Sequence, residues 1–138
     1  MPGDLQALGR AVKQAQYRHH RALDRALIGV GATLAQWDAL RAIARDPGSS
    51  ARALAEETFQ SEQAFGTLAN RLVTRGLIDR APGHGRTIEH RLTVTGEQVL
   101  AAANRVADEV LADSFADLSA AERATLLQLL LRVGIRSE

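Results

Sequence analysis

Two short helices joined by a tight turn and followed at once by a hairpin constrain this chain more than any other feature. The block is SSARALAEETFQSEQAFGTLANRLVTRGLIDRAPGHGRTIEHRLTVTG, residues 49–96. Ser49 or Ser50 caps the first helix, and Ser61 caps a longer one whose inward positions are Ala64, Phe65, Leu68, Ala69 and Leu72. Helices so close in sequence must cross steeply, and Gly76 is a natural residue to end the second. LIDRA and TIEHRL then read as short strands, with Ile88, His90 and Leu92 on one face and Glu89 and Arg91 on the other. The PGHGR between them supplies turn residues.

Helices flank this block on both sides. Leu5, Leu8, Val12, Ala15, Ala22, Leu23, Ala26 and Leu27 recur at three and four residues, predicting an amphipathic helix that begins after Asp4 and closes at Gly29 and Gly31. TLAQ, Thr33 to Gln36, is a capping box opening a helix with Leu34, Trp37, Leu40, Ile43 and Ala44 inward, stopped by Asp46, Pro47 and Gly48. TGEQ at Thr95 reads as a second box, opening a helix with Val99, Ala103, Val106, Val110 and Phe115 on one stripe. SAAE at Ser119 opens the last helix, apolar over more than one stripe from Leu126 to Val133. A helix that apolar needs cover from outside a small domain, which points to a two-fold homodimer built with the first helix. The expected fold is mainly α with a small two-stranded hairpin, in one domain spanning residues 1–138. Residues 33–95 form its winged helix-turn-helix lobe, and 5–30 and 96–134 its dimerisation helices.

Composition removes several chemistries. The chain has no cysteine, so disulfides, thiolate nucleophiles and Cys-type zinc sites are excluded. It has no 18-residue apolar run, and its start lacks a charged segment followed by an apolar one, which predicts a cytoplasmic protein without membrane contact. Net charge is +1, but residues 1–45 carry seven Lys/Arg against three Asp and residues 71–91 carry five Arg against two acids. That distribution suits one face turned to a polyanion.

Three readings compete for the loop PGHGR. It leads into a strand, not a helix N-terminus, so it is neither a phosphate-binding nor a dinucleotide-binding loop. His19 and His20 point about 100° apart on a helix, and His84 and His90 lack partners at ligand spacing, so no metal or other cofactor is expected. Ser, His and Asp occur without a placed catalytic constellation, so no catalytic residue is assigned and an enzyme is not expected. A winged-helix arrangement remains, in which the second helix of the pair enters the major groove of double-stranded DNA and the hairpin reaches the backbone or the minor groove. Its outward face offers Gln63, Gly66, Thr67, Asn70 and Arg71 behind the capping Ser61, together with Glu62, whose carboxylate is repelled by phosphate. A winged-helix module for protein contact is the alternative.

The block with RLVTRGLIDR, a basic loop and RLTVTG, together with TLAQWDALRAIA, resembles the MarR family of winged-helix transcriptional regulators from about Leu5 to Val133. The resemblance implies an obligate homodimer on a pseudo-palindromic operator, acting as a repressor released by a small ligand. It puts Gln63, Gly66, Thr67, Asn70 and Arg71 on the recognition helix and Arg86 at the wing tip; Arg80 and His84 are added as DNA contacts from the basic loop itself. Relatives often brace that arginine with an Asp; here His84, Gly85 and Arg86 stand in a shorter loop. It also implies an effector site between the first two helices and the lobe, with Tyr17, His20, Trp37 and Arg41 as candidates for an aromatic or anionic compound.

Overall fold

The computed structural model describes residues 2–134 as α1 (Pro2–Leu27), a 3-10 turn (Ile28–Val30), α2 (Leu34–Arg45), α3 (Ala51–Glu57), α4 (Glu62–Thr74), β1 (Ile78–Pro82), β2 (Ile88–Leu92), α5 (Val94–Ser114) and α6 (Ala120–Gly134). Helices α2 to α6 each start where a side chain replaces a missing backbone partner. Thr33 Oγ1 accepts from the Gln36 amide at 3.1 Å and Gln36 Oε1 accepts from the Thr33 amide at 3.2 Å, the expected capping box. Ser50 and Ser61 accept from the amides of Ala53 and Ala64, and Ser119 and Glu122 form a reciprocal pair. Helix α1 starts before Asp4, at Pro2, and the chain turns out of it at Gly31, whose φ is 76°.

The cap of α5 is Thr93, not Thr95. Thr93 Oγ1 accepts from the Gly96 amide and donates to the Gly76 carbonyl at 2.6 Å, while its amide donates to Leu77. These bonds to the end of α4 fix the helix start two residues earlier than the local pattern predicts. They also bring α5 so near the chain that a Cβ on Gly96 would collide with the Leu77 carbonyl oxygen.

Strands β1 and β2 pair antiparallel, Ile78 with Leu92 through to Pro82 with Ile88. Ser49 adds a one-residue bridge on the other side of β2 through His90. The core gathers Leu40, Ile43, Leu54, Phe65, Leu72, Leu77 and Ile78 between α2, α3, α4 and the hairpin. From α5 it takes Leu100, Ala103 and Ala107. Three inward assignments are corrected. Ala44 and Ala64 are exposed, because Ala39 and Ala42 carry the inner face of α2 and Phe65 alone faces inward at the start of α4. Ile88 is also exposed, lying toward the wing tip beyond the core.

Helix α6 buries none of its residues, and Leu127, Leu129, Leu130, Leu131 and Val133 are exposed along with Leu5, Leu8 and Val12 of α1. No described helix is long and apolar enough to cross a membrane.

Two glycines predict opposite outcomes. Gly96→Ala must push α5 off Leu77 and should cost about 1–3 kcal/mol in urea unfolding. A Cβ on Gly66 would meet nothing within 4 Å, so Gly66→Ala should leave the fold intact and stabilise it by about 0.5–1 kcal/mol.

Candidate nucleic-acid interface

Helix α4 is fixed at both ends. Ser61 closes the first turn by accepting from Ala64 at 3.1 Å. At the other end, Arg75 donates from Nη1 to Gln36 Oε1 at 2.9 Å, and Gly76 takes the left-handed conformation, with φ 74°. Phe65, Leu68, Ala69 and Leu72 face the core, which leaves Glu62, Gln63, Ala64, Thr67, Asn70 and Arg71 in solvent and Gly66 half-covered. The predicted recognition residues therefore share one presented face. Thr67 Oγ1 donates to the Gln63 carbonyl at 3.1 Å, and the residue stays exposed. Arg71, Arg80 and Arg86 have no ion-pair partner among the described residues.

The wing is held by backbone and hydroxyl bonds. Gly83 donates to the Thr87 carbonyl at 2.9 Å, and Thr87 Oγ1 donates to the His84 carbonyl at 2.6 Å across Gly85, whose φ is 64°. Thr87 thus closes the turn, and His84 and Arg86 are exposed at its tip. Arg80 lies lower on β1, opposite His90. His90 is structural. It is 2% exposed, its Nδ1 donates to the Ser49 carbonyl at 2.9 Å, and its ring meets Phe65 edge-on.

A cleft of about 630 Å³ lies between α1, α2, α5 and α6, away from α4. His20, Trp37 and Arg41 line it; Tyr17 does not, and instead accepts from Arg21 at 3.3 Å on the exposed side of α1. The Trp37 indole donates to Asn104 Oδ1 at 2.9 Å while the Arg41 guanidinium stacks 4.3 Å from its ring. Sequence reasoning missed Asp38 and His19 on the same walls. His19 packs 4.8 Å from Phe115, and its Nδ1 is buried without a hydrogen-bond partner. Their positions follow from the helical spacing of Trp37 and His20, but only the packing of α1 on α5 shows that both face the cleft. Burial raises the Asp38 carboxyl above its ordinary pKa, and Arg41, Arg45 and His20 offset only part of that rise. Among the described residues no group of three or more His, Asp or Glu could hold a metal ion.

A helix-turn-helix with a capped, solvent-facing second helix beside a basic hairpin defines a winged-helix protein. The chain belongs to the MarR family: residues 30–87 match that family, and the transcriptional regulator HosA of Escherichia coli is 35% identical over 101 residues, covering 70% of this chain and 73% of HosA. The fold is similar to that of an E. coli MarR variant complexed with operator DNA, at a TM-score of 0.86 and 23% identity over 94% of this chain and 95% of that one. It is also similar to a Mycobacterium tuberculosis MarR family protein in complex with p-aminosalicylic acid, at a TM-score of 0.76 and 25% identity over 93% of this chain and 98% of that one.

The Asp38 environment sets a pH dependence. A carboxyl whose folded pKa is raised favours the folded state most when protonated, so its contribution is present at low pH and lost as pH rises through the folded value. Asp38→Asn should therefore stabilise the protein at neutral pH in urea unfolding, and the gain should vanish on acidification below the carboxylate range.

Proposed function

We propose that this protein is a sequence-specific DNA-binding transcriptional regulator, not an enzyme. In this reading it acts as a homodimeric repressor of a pseudo-palindromic operator and is released by a small effector. The observation that carries the proposal is the α4 face. Six consecutive positions of a rigidly capped helix, Glu62 to Thr67, have only Phe65 tied into the core, and Asn70 and Arg71 extend the same surface. Arginines with no carboxylate partner among the described residues, Arg71 on this helix and Arg80 and Arg86 on the hairpin, are available to phosphates or guanine edges. The operator complex of the similarly folded MarR variant supports the same use of the fold.

Residues 33–95 are the DNA-binding lobe, in which Ser61, Gln63, Gly66, Thr67, Asn70 and Arg71 enter the major groove and Arg80, His84 and Arg86 contact the backbone beside it. The helices of 5–30 and 96–134 form the dimer, with the exposed leucines of α1 and α6 as its seam. His20, Trp37 and Arg41 bind the effector, a small aromatic or anionic compound held by the Arg41 guanidinium at the wall that Trp37 forms. The p-aminosalicylic acid of the M. tuberculosis relative supports a compound of this type. Tyr17 is not part of this set.

Selection of bound sequences from a random duplex pool should enrich a two-fold symmetric motif with half-sites about one helical turn apart. Against that motif Asn70→Ala or Thr67→Ala should cost about 1–3 kcal/mol and relax base preference. Arg86→Ala should weaken all sequences alike and reduce the salt slope by about 1. Gly66→Ala should bind more weakly despite its firmer fold. An absence of enrichment would leave the winged-helix module for protein contact as the better reading. In sedimentation equilibrium the protein should run as a dimer and Leu130→Glu as a folded monomer; an unchanged dimer would remove α6 from the seam.

A further inference from the structure

Phe59 sits in the turn between α3 and α4 with its backbone in the left-handed region, φ 59°, and its side chain 96% exposed. The turn demands that conformation. The Gln60 amide donates to the Ala55 carbonyl at 2.8 Å and the Phe59 amide to Glu56 at 3.2 Å, the paired bonds that end a helix through one left-handed residue. Glycine fills such a position without strain and asparagine with little, whereas a bulky side chain there is an outlier. The ring gains nothing inside the chain that would offset the strain, because almost none of it is covered. One exposed apolar residue needs no explanation, but an exposed aromatic held in a disfavoured backbone conformation does.

We propose that Phe59 is a specificity-determining residue for DNA, its ring packing against a thymine methyl at the half-site position met by the start of α4. This rests on the DNA-binding reading above. Phe59 lies two residues before Ser61, the cap of the presented helix, so it stands beside the N-terminal end of that helix. The apolar feature a major groove offers is the C5 methyl of thymine, and a phenyl ring is one of the side chains that recognises it. A second copy of the chain fits less well, since the apolar faces that call for one lie on α1 and α6.

The test compares wild type with Phe59→Gly, Phe59→Asn and Phe59→Trp on the duplex selected by the wild-type protein, and on the same duplex with uracil in place of the flanking thymine. The Gly and Asn variants should unfold at higher urea yet bind the selected duplex roughly tenfold more weakly. Their salt slope should be unchanged, because no charge is lost. Trp should keep most of the affinity. Uracil should weaken the wild type and leave the Gly variant unaffected. Wild-type affinity in both the Gly and Asn variants overturns the proposal and points to a protein partner for the ring. An equal uracil penalty in wild type and Gly variant overturns it as well. If the wild type itself enriches no sequence, the DNA-binding reading fails and this one with it; enrichment followed by either negative result sinks the role of Phe59 alone.

Discussion

One oxygen joins the two halves of the lobe. Gln36 Oε1 accepts from the Thr33 amide and from Arg75 Nη1 at once, in a side chain only 9% exposed. The first bond starts α2, and the second anchors the end of α4, so the direction of the presented helix is referred to α2. A hydrogen bond to a charged donor in partly buried surroundings is among the stronger polar contacts a protein makes, and losing either partner strands the other. Gln36 is followed directly by Trp37 and Asp38, which line the cleft. Under the proposed function, an effector that displaces α2 acts on the anchor of α4 through adjacent residues of one rigid helix.

The hairpin is referred to the same frame by a different route. His90 lies at its centre, pairing with Arg80 on one side and bridging Ser49 on the other, with Gly48 donating to its carbonyl at 2.9 Å. Its ring seals against Phe65, the one inward residue in the first turn of α4. The wing and the presented helix therefore share a contact inside the core, and Arg86 at the tip is held relative to Asn70 and Arg71 by packing instead of by a surface ion pair. His90 meets the Ser49 carbonyl twice, through its backbone amide at 3.1 Å and through Nδ1 at 2.9 Å, so its own ring nitrogen is satisfied inside the core.

Features set by local chemistry were legible in the sequence. The Thr33 capping box, the stop at Asp46, the glycine after α4 and the turn around Gly85 each depend on residues within a few positions of one another, and each is found where the pattern puts it. The order of helices and the hairpin followed from these. What could not be read depends on distant partners. TGEQ satisfies the rule for a capping box as well as Thr93 does, and only the bonds from Thr93 to Gly76 and Leu77 decide between them. Ala44 and Ala64 border true inward positions, and the side of the helix an alanine faces is settled by its neighbours, not by its own small surface. The bridge at Ser49 is one residue long and leaves no periodicity. Of the predicted cleft residues, His20, Trp37 and Arg41 converge, whereas Tyr17 occupies a neighbouring stripe of α1, a distinction finer than a helical pattern without a known partner can make.

The cleft and the unpartnered helices are not separate matters. Leu8 and Val12 of α1 and Leu130 of α6 line the cleft, and the same three residues belong to the exposed apolar set. A second copy that covers those faces also reshapes the walls against which a small molecule must fit. Burying an exposed leucine is worth about 1.5–3 kcal/mol, so a seam built from several of them outweighs the contacts of one small compound. Under the proposed function, assembly sets the cleft, and an effector acts by shifting the arrangement of two already joined copies, not by joining them. By linkage, whatever a ligand does to the spacing of the two presented helices, bound DNA must do in return to the ligand's affinity. Under the proposed function, α2 is the direct link between the recognition face and the apolar seam, since it packs on α4 at one side and on α1 at the other.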